Sequence, residues 1–258
     1  MKNISEIIRH YEETRPDFVT DATGKKYQLW DLFDPQRSRV SFGNGKTRIA
    51  SVNLLAGDIN AAYTGYLPAV LRDLFGGCPG TCKGNCPGCF AMKTTRNIIP
   101  AIKTALNTME ALSDPVRFVS LVEAEIFGNP VMIPGVVRIH DSGDFFSLEY
   151  LEAVAGMIRR HPETRFGSYT KEEETAQRFG LDRIPVNFSL SCSPWEGHCN
   201  PIGDLPQFIY DAGDDPEITA LPHCPAVDKN GHRTGIHCAD CLHCYFAKRG
   251  DRIAVYPH

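Results

Sequence analysis

Apolar positions along the chain switch between a period near two and a period near four, several times over. TRIASVNLL (47–55) reads as a strand, and NIIPAIKTALNTMEAL (97–112) places Ile98, Ile102, Leu106, Met109 and Leu112 at helical spacing. SDPVRFVSLVEAEIF (113–127) opens with Ser113 or Asp114 as a cap and Pro115 in the first turn, which predicts a helix start. GVVRIHD (135–141) reads as a strand. SLEYLEAVAGMIRRHP (147–162) predicts a helix capped by Ser147, with Leu148, Leu151, Val154, Ala155 and Ile158 on one face, ending before Pro162. TRFGSYT (164–170), KEEETAQRFG (171–180) and PVNFSLSC (185–192) continue as strand, helix and strand. Upstream, residues 4–13 predict a short helix, the stretch to about residue 45 reads as loops, and PAVLRDLF (68–75) leads helically into a cysteine-rich loop.

Strands alternating with helices predict the α/β class, a largely parallel sheet covered by helices. The rhythm fades after residue 192, where Pro, Gly, His and Cys dominate. The chain therefore divides into residues 1–192, a (β/α) unit with an N-terminal extension, and residues 193–258, a Cys-rich, irregular, metal-binding segment packed on it. AKRGDRIAVYPH (247–258) reads as a closing strand with a basic start.

Composition narrows the class. The chain has 258 residues, 42% hydrophobic and 22% charged, as a soluble globular protein does. A net charge of −4 argues against coating nucleic acid by charge alone, although Lys93, Arg96 and Lys103 would make a local basic site. Their alternative is an ordinary solvated helix face. The charged N-terminus MKNISEIIRHYEETRP lacks the apolar stretch of a signal peptide, and no apolar run reaches the ~20 residues of a membrane helix. A cytoplasmic protein with no membrane partner is expected.

Ten cysteines in a compartment that keeps thiols reduced call for an explanation other than disulfides. They cluster: Cys78, Cys82, Cys86 and Cys89 in CPGTCKGNCPGCF, then Cys192 and Cys199, then Cys224, Cys238, Cys241 and Cys244. The flanks of the two outer clusters read as loops, which favours metal ligation over inert buried thiols. Cys82, Cys86 and Cys89 are separated by three and two residues. Three thiolates on a compact loop can hold three irons of a cubane and leave the fourth iron open. Zinc, or a cluster closed by Cys78 as a fourth ligand, is the alternative.

That spacing resembles the radical S-adenosylmethionine superfamily. The resemblance implies a partial (β/α) barrel, a 4Fe-4S cluster on Cys82, Cys86 and Cys89, and S-adenosylmethionine bound at the open iron. It further implies an electron donor of flavodoxin or ferredoxin type. The aromatic residue usual before the third cysteine is Gly88 here, and Phe90 follows Cys89 as the candidate adenine contact. Past the loop, VVRIHDSGDFFS ends a strand in a polar turn, where barrel enzymes collect ligand-binding residues. By position, His140, Asp141, Ser142, Gly143 and Asp144 match the segment that holds the cofactor's amino group. Their alternative is a capped turn.

SFGNGKT, CPGTCKGNCPGCFAMK, VRIHDSGDFFSLEYLEAV, RFGSYTK and CADCLHC together resemble a phage and mobile-element family known as gene product 88, from about residue 41 to the end. This resemblance implies an iron–sulfur protein and assigns no reaction.

In the tail, Cys224, Cys238, Cys241 and Cys244 supply four thiolates for a second 4Fe-4S cluster or for zinc. His223, His232, His237 and His243 make mixed ligation an option. Cys192, at the end of a strand, is a candidate hydrogen-atom donor or a buried spare thiol. Trp195 and Tyr169 are candidate liners of the same mouth, or packing. Two function classes follow: a radical enzyme acting on an unidentified substrate, and a non-catalytic zinc or iron–sulfur module of a phage or plasmid nucleoprotein assembly.

Overall fold

The computed structural model describes residues 19–20, 24, 26–28, 30–34, 36–42, 49–54, 56, 81, 98–128, 135–192, 201–211, 213–230 and 232–256, with isolated positions 6, 9 and 13. Of the cysteine loop, Thr81 alone lies within that set. Cys78, Cys82, Cys86, Cys89, Phe90, Lys93, Arg96, Trp195, Cys199 and the helix expected at 68–75 fall outside the described residues.

Where the sequence alternates apolar and polar residues, strands form: β3 (Val40–Phe42), β4 (Ala50–Val52), β5 (Val136–Ile139), β6 (Arg165–Thr170) and β7 (Phe188–Cys192). β8 (Gln207–Tyr210) and β9 (Arg252–Val255) complete a seven-stranded sheet. Its order is β3-β4-β5-β6-β7-β8-β9, with β3 antiparallel to β4 and every later pair parallel. A two-stranded antiparallel ribbon, β1 (Val19–Thr20) with β2 (Lys26–Tyr27), stands apart from it. The α/β class holds, and the sheet is not closed.

Two sequence expectations need correction here. The stretch before residue 45 is not loop throughout, because β3 forms there and borders the sheet. The segment after residue 192 is not wholly irregular either. β8 and the expected closing strand β9 both join the sheet, and the cysteine-bearing stretch runs between them.

The helices follow their local chemistry. A single turn, α1, covers Trp30–Phe33, and α2 runs Ile98–Ser113. In α3 (Pro115–Phe127), the Asp114 side chain accepts from Arg117 N and Pro115 opens the first turn. In α4 (Leu148–Arg160), Ser147 accepts from Tyr150 N, and the Asn187 amide donates to the carbonyls of Ile158 in the last turn and of His161 and Thr164 just beyond it. α5 spans Glu173–Phe179. Buried side chains of α3, α4 and α5, among them Phe118, Val122, Tyr150, Leu151 and Phe179, form one core with Val52, Val137, Ile139, Phe166 and Leu190. Burying each large apolar side chain contributes roughly 1.5–3 kcal/mol.

α2 departs from the single apolar face predicted for it. Thr104, Ala105, Asn107, Thr108 and Ala111 are buried as well as Ile102, Leu106 and Met109. The polar side of the helix is covered by the segment leading into β3. Arg37 and Arg39 both pair with Glu110 at 2.9 Å, and the Asn107 amide donates to the carbonyls of Arg39 and Asn53. Lys103 Nζ donates to the Val40 carbonyl at 2.7 Å, so its ammonium is held inside this arrangement. Neither of its sequence readings, a phosphate contact or a solvated face, describes that position.

Among the described residues, no helix is long and apolar enough to cross a membrane.

Candidate functional site

Register divides the sheet into two chemically different faces. Val137, Phe166, Phe188 and Leu190 point toward the helices. On the opposite face, Ser51 neighbours Arg138, Arg138 neighbours Gly167, Gly167 neighbours Ser189, and Tyr169 neighbours Ser191. A face that is polar and yet largely buried needs a cover and a purpose.

At the carboxyl end of β5 the chain leaves the sheet through His140–Asp144. His140 takes a left-handed conformation (φ 65°), and so does Gly143 (φ 93°). A side chain on Gly143 would meet Leu54 Cβ at 2.6 Å and Thr81 Oγ1 at 2.9 Å. Neighbouring elements clasp the turn. Asn53 Oδ1 accepts from the backbone N–H groups of Asp141 (2.5 Å) and Ser142 (3.3 Å), and Leu54 N donates to Ser142 O (2.9 Å). His140 Nε2 bonds the Tyr150 hydroxyl at 2.9 Å.

Asp144 joins three segments. Its Oδ1 accepts from Phe145 N and from the Thr170 hydroxyl, both at 2.7 Å, and its Oδ2 accepts from Lys171 N at 2.8 Å. Its own N–H donates to Thr81 Oγ1 at 2.9 Å. Burial pushes the Asp144 carboxyl up to about 6, against the three hydrogen bonds that favour its charge. Burial first, and then the Arg138 charge, pushes His140 down to about 3, so its imidazole is neutral at physiological pH.

The five predicted turn residues thus have distinct places. His140 and Asp144 are buried and tie the turn to α4 and β6. Gly143 permits the close approach to Thr81. Asp141 pairs with Arg138, Nε to Oδ1 at 2.7 Å. Ser142 Oγ and His140 Nδ1 are buried with no hydrogen-bond partner.

A pH prediction follows from Asp144. Its folded pKa is raised from 3.8 to about 6, so the stabilisation from binding its proton is complete below pH 4. That stabilisation is lost as pH rises through 6, an effect of roughly 3 kcal/mol. Asp144→Asn cannot ionise, so the difference in urea stability between wild type and variant should change by about that amount across this window. Parallel profiles would refute it.

The tail covers the polar face. Cys238–Cys241 forms one helical turn, Leu242 turns left-handed (φ 53°), and a 3₁₀ turn at His243–Tyr245 follows. The Tyr245 ring lies on Gly167, where an added Cβ would come within 2.6 Å of Cδ1. Tyr169 lies beside the Cys244 thiol, and its ring also receives Phe208 edge-on at 4.8 Å. Burial pushes Cys244 up to about 11, and Cys224 and Cys238 lie near enough to add to that rise. Cys224 sits beside β9, its N–H donating to the Ala254 carbonyl at 2.9 Å. Among the described residues, no group of three or more His, Cys, Asp or Glu side chains has metal-holding geometry. Of the tail histidines, His223 is occupied by Asp211, Nε2 to Oδ2 at 2.8 Å.

Cys192 lies elsewhere. It is 1% exposed within the helix-side core, and its thiol donates to the Pro206 carbonyl at 3.5 Å. Sequence reasoning missed Asn53, Thr81, Tyr150, Thr170 and Arg138. For Arg138 a signal existed, the single charge inside the strand VVRI.

A family model described as gene product 88 matches residues 39–249. No curated protein and no solved structure matches the chain.

Proposed function

The chain belongs to the gene product 88 family, and we propose that it is an iron–sulfur enzyme of radical S-adenosylmethionine type, working in a partial (β/α) barrel. The observation that carries this reading is Thr81. Its contact with Asp144 brings the residue next to Cys82 to the carboxyl end of β5, beside the turn proposed for the cofactor. Parallel strands in chain order, with the described core helices on one face and polar residues on the other, also support it.

On this reading Cys82, Cys86 and Cys89 hold the 4Fe-4S cluster. Bound there, it would pass one electron to S-adenosylmethionine, cleaving it to methionine and a 5′-deoxyadenosyl radical. Ser142 Oγ and the neutral His140 Nδ1 would meet the cofactor, because they are the turn's buried polar atoms with capacity left. Asn53 and Asp144 would position them. The donor of the electron would be a flavodoxin- or ferredoxin-type protein, and the substrate is left open.

A second reading concerns the tail. Cys224 lies against β9 and Tyr245 against β6, so a zinc ion on the tail thiols would staple the sheet's last strand. In that case the whole chain fits a non-catalytic module of a phage or plasmid nucleoprotein assembly as well as an enzyme.

Anaerobic reconstitution separates these readings. About eight irons per chain are expected for two cubanes, or about four with one zinc. The resonance spectrum of the reduced protein should change on adding S-adenosylmethionine, with formation of 5′-deoxyadenosine. Cys78→Ala should keep both signals and Cys82→Ala should lose both. A colourless zinc protein, or a full cluster blind to the cofactor, rules the enzyme reading out.

A further inference from the structure

Tyr150 and His140 share one buried hydrogen bond, 2.9 Å between the hydroxyl and Nε2, and neither residue is more than 2% exposed. Among the described residues, the hydroxyl makes no second hydrogen bond. Counting protons gives the bond its direction. The hydroxyl keeps its proton, because burial raises the Tyr150 pKa, and the His140 imidazole is neutral. If Nε2–H donated, the Tyr150 O–H and the Nδ1 lone pair would both be buried and unmet. If the hydroxyl donates, one group is left over, the Nδ1–H, and Nδ1 is indeed enclosed without a partner. Each unmet buried group is costly, so the arrangement with one orphan prevails. The backbone leans on the same bond. His140 has φ 65°, a conformation that a residue with a Cβ keeps only where its surroundings over-determine it. Its N–H donates to the Val52 carbonyl at 2.9 Å, and its ring packs on Phe145 and Tyr150, with centroids 4.8 and 5.6 Å away. Packing alone does not distinguish the two flips of an imidazole, whereas a hydroxyl on one edge does.

We propose that Tyr150 is the positioning residue of this turn: its hydroxyl donates to His140 Nε2, fixes the imidazole proton on Nδ1, and through the ring holds the left-handed bend that leads into Asp141–Asp144. Tyr150 acts through His140 and touches no ligand itself. On the enzyme reading the cofactor meets this turn, so Tyr150→Phe should weaken S-adenosylmethionine binding about tenfold with iron retained. That step rests on the enzyme reading, whereas the tautomer does not.

The test is nitrogen-15 NMR of the imidazole rings in the labelled full chain at neutral pH, with His140 assigned through its backbone correlations. Long-range nitrogen–proton spectra separate a protonated ring nitrogen from a bare one and tell Nδ1 from Nε2. Wild type should show Nδ1 protonated and Nε2 bare. Tyr150→Phe keeps the ring and removes only the hydroxyl, so Nε2–H should become populated. The Asp141 amide, which donates to Asn53 Oδ1, should then exchange with solvent about tenfold faster. The wild-type spectrum decides even if the variant does not fold, since Nε2–H or a doubly protonated ring there overturns the proposal. An unchanged tautomer in folded Tyr150→Phe overturns it too, even with faster exchange, because the hydroxyl would then be ordinary packing. The readout needs neither cluster nor S-adenosylmethionine, so failure to form 5′-deoxyadenosine leaves the tautomer standing, and the reverse also holds.

Discussion

Glu110→Ala should destabilise the fold by about 3–5 kcal/mol, the usual consequence of removing one partner from a buried charged group. Glu110 is the shared counter-ion of two arginines. Arg37 and Arg39 both reach it at 2.9 Å, and their side chains are 2% and 8% exposed. Burial already lowers the Arg37 pKa, with Glu110 acting against that trend, so removing the carboxylate leaves two buried cations repelling each other. The damage would spread. These arginines bring the segment before β3 onto α2, and the next turn of contacts, from Glu125 to the N–H groups of Arg39 and Val40, depends on the same approach. Glu110→Gln keeps an acceptor and should recover part of the loss. Urea unfolding followed by circular dichroism measures both variants. A cost below about 1 kcal/mol for the alanine would show that water satisfies the arginines, as at an ordinary surface pair.

Gly143→Ala should be nearly as costly, and it should act on the candidate site directly. Two penalties combine, the left-handed backbone at φ 93° and the collision with Leu54 Cβ and Thr81 Oγ1. Together they amount to roughly 2–5 kcal/mol. The chain can relieve the collision only by moving both Leu54 and Thr81 away from the turn, which breaks the bond from Asp144 N to Thr81 Oγ1. On the enzyme reading proposed above, iron retention with loss of the cofactor-dependent spectral change is expected, because no cysteine is altered while Thr81, next to Cys82, is displaced. Gly213→Ala is the control. It carries the same kind of backbone penalty (φ 88°) with nothing within 4 Å of the added carbon. Equal effects at the two glycines would mean that the close approach at Gly143 carries no functional weight.

What could be foreseen from the sequence follows the range of the interactions involved. The caps at Asp114 and Ser147, the helix ending before Pro162 and strands β4 to β7 rest on neighbours within a few residues, and they form where expected. β8 escaped notice because QFIY is short and lies between Pro206 and Asp211, so its strand character comes from pairing with β7 and β9. The polar face was partly visible. Ser189 and Ser191 alternate with Phe188 and Leu190, a period of two that implies a second face with its own chemistry. Asn53 and Thr81 left no comparable trace, since their importance comes from partners 88 and 63 residues away.

The order of the strands also bears on how the molecule is made. From β4 to β8, each parallel strand pairs with the one before it, so the sheet can grow outward as the chain leaves the ribosome. β9 keeps to that order, landing beside β8 after an excursion through residues 211–251, and closing so long a connection carries an entropic penalty that its few ladder bonds have to overcome. All four tail thiols lie within that excursion. The cysteines that look like an ornament of the finished fold thus occupy the stretch that decides when its last strand arrives.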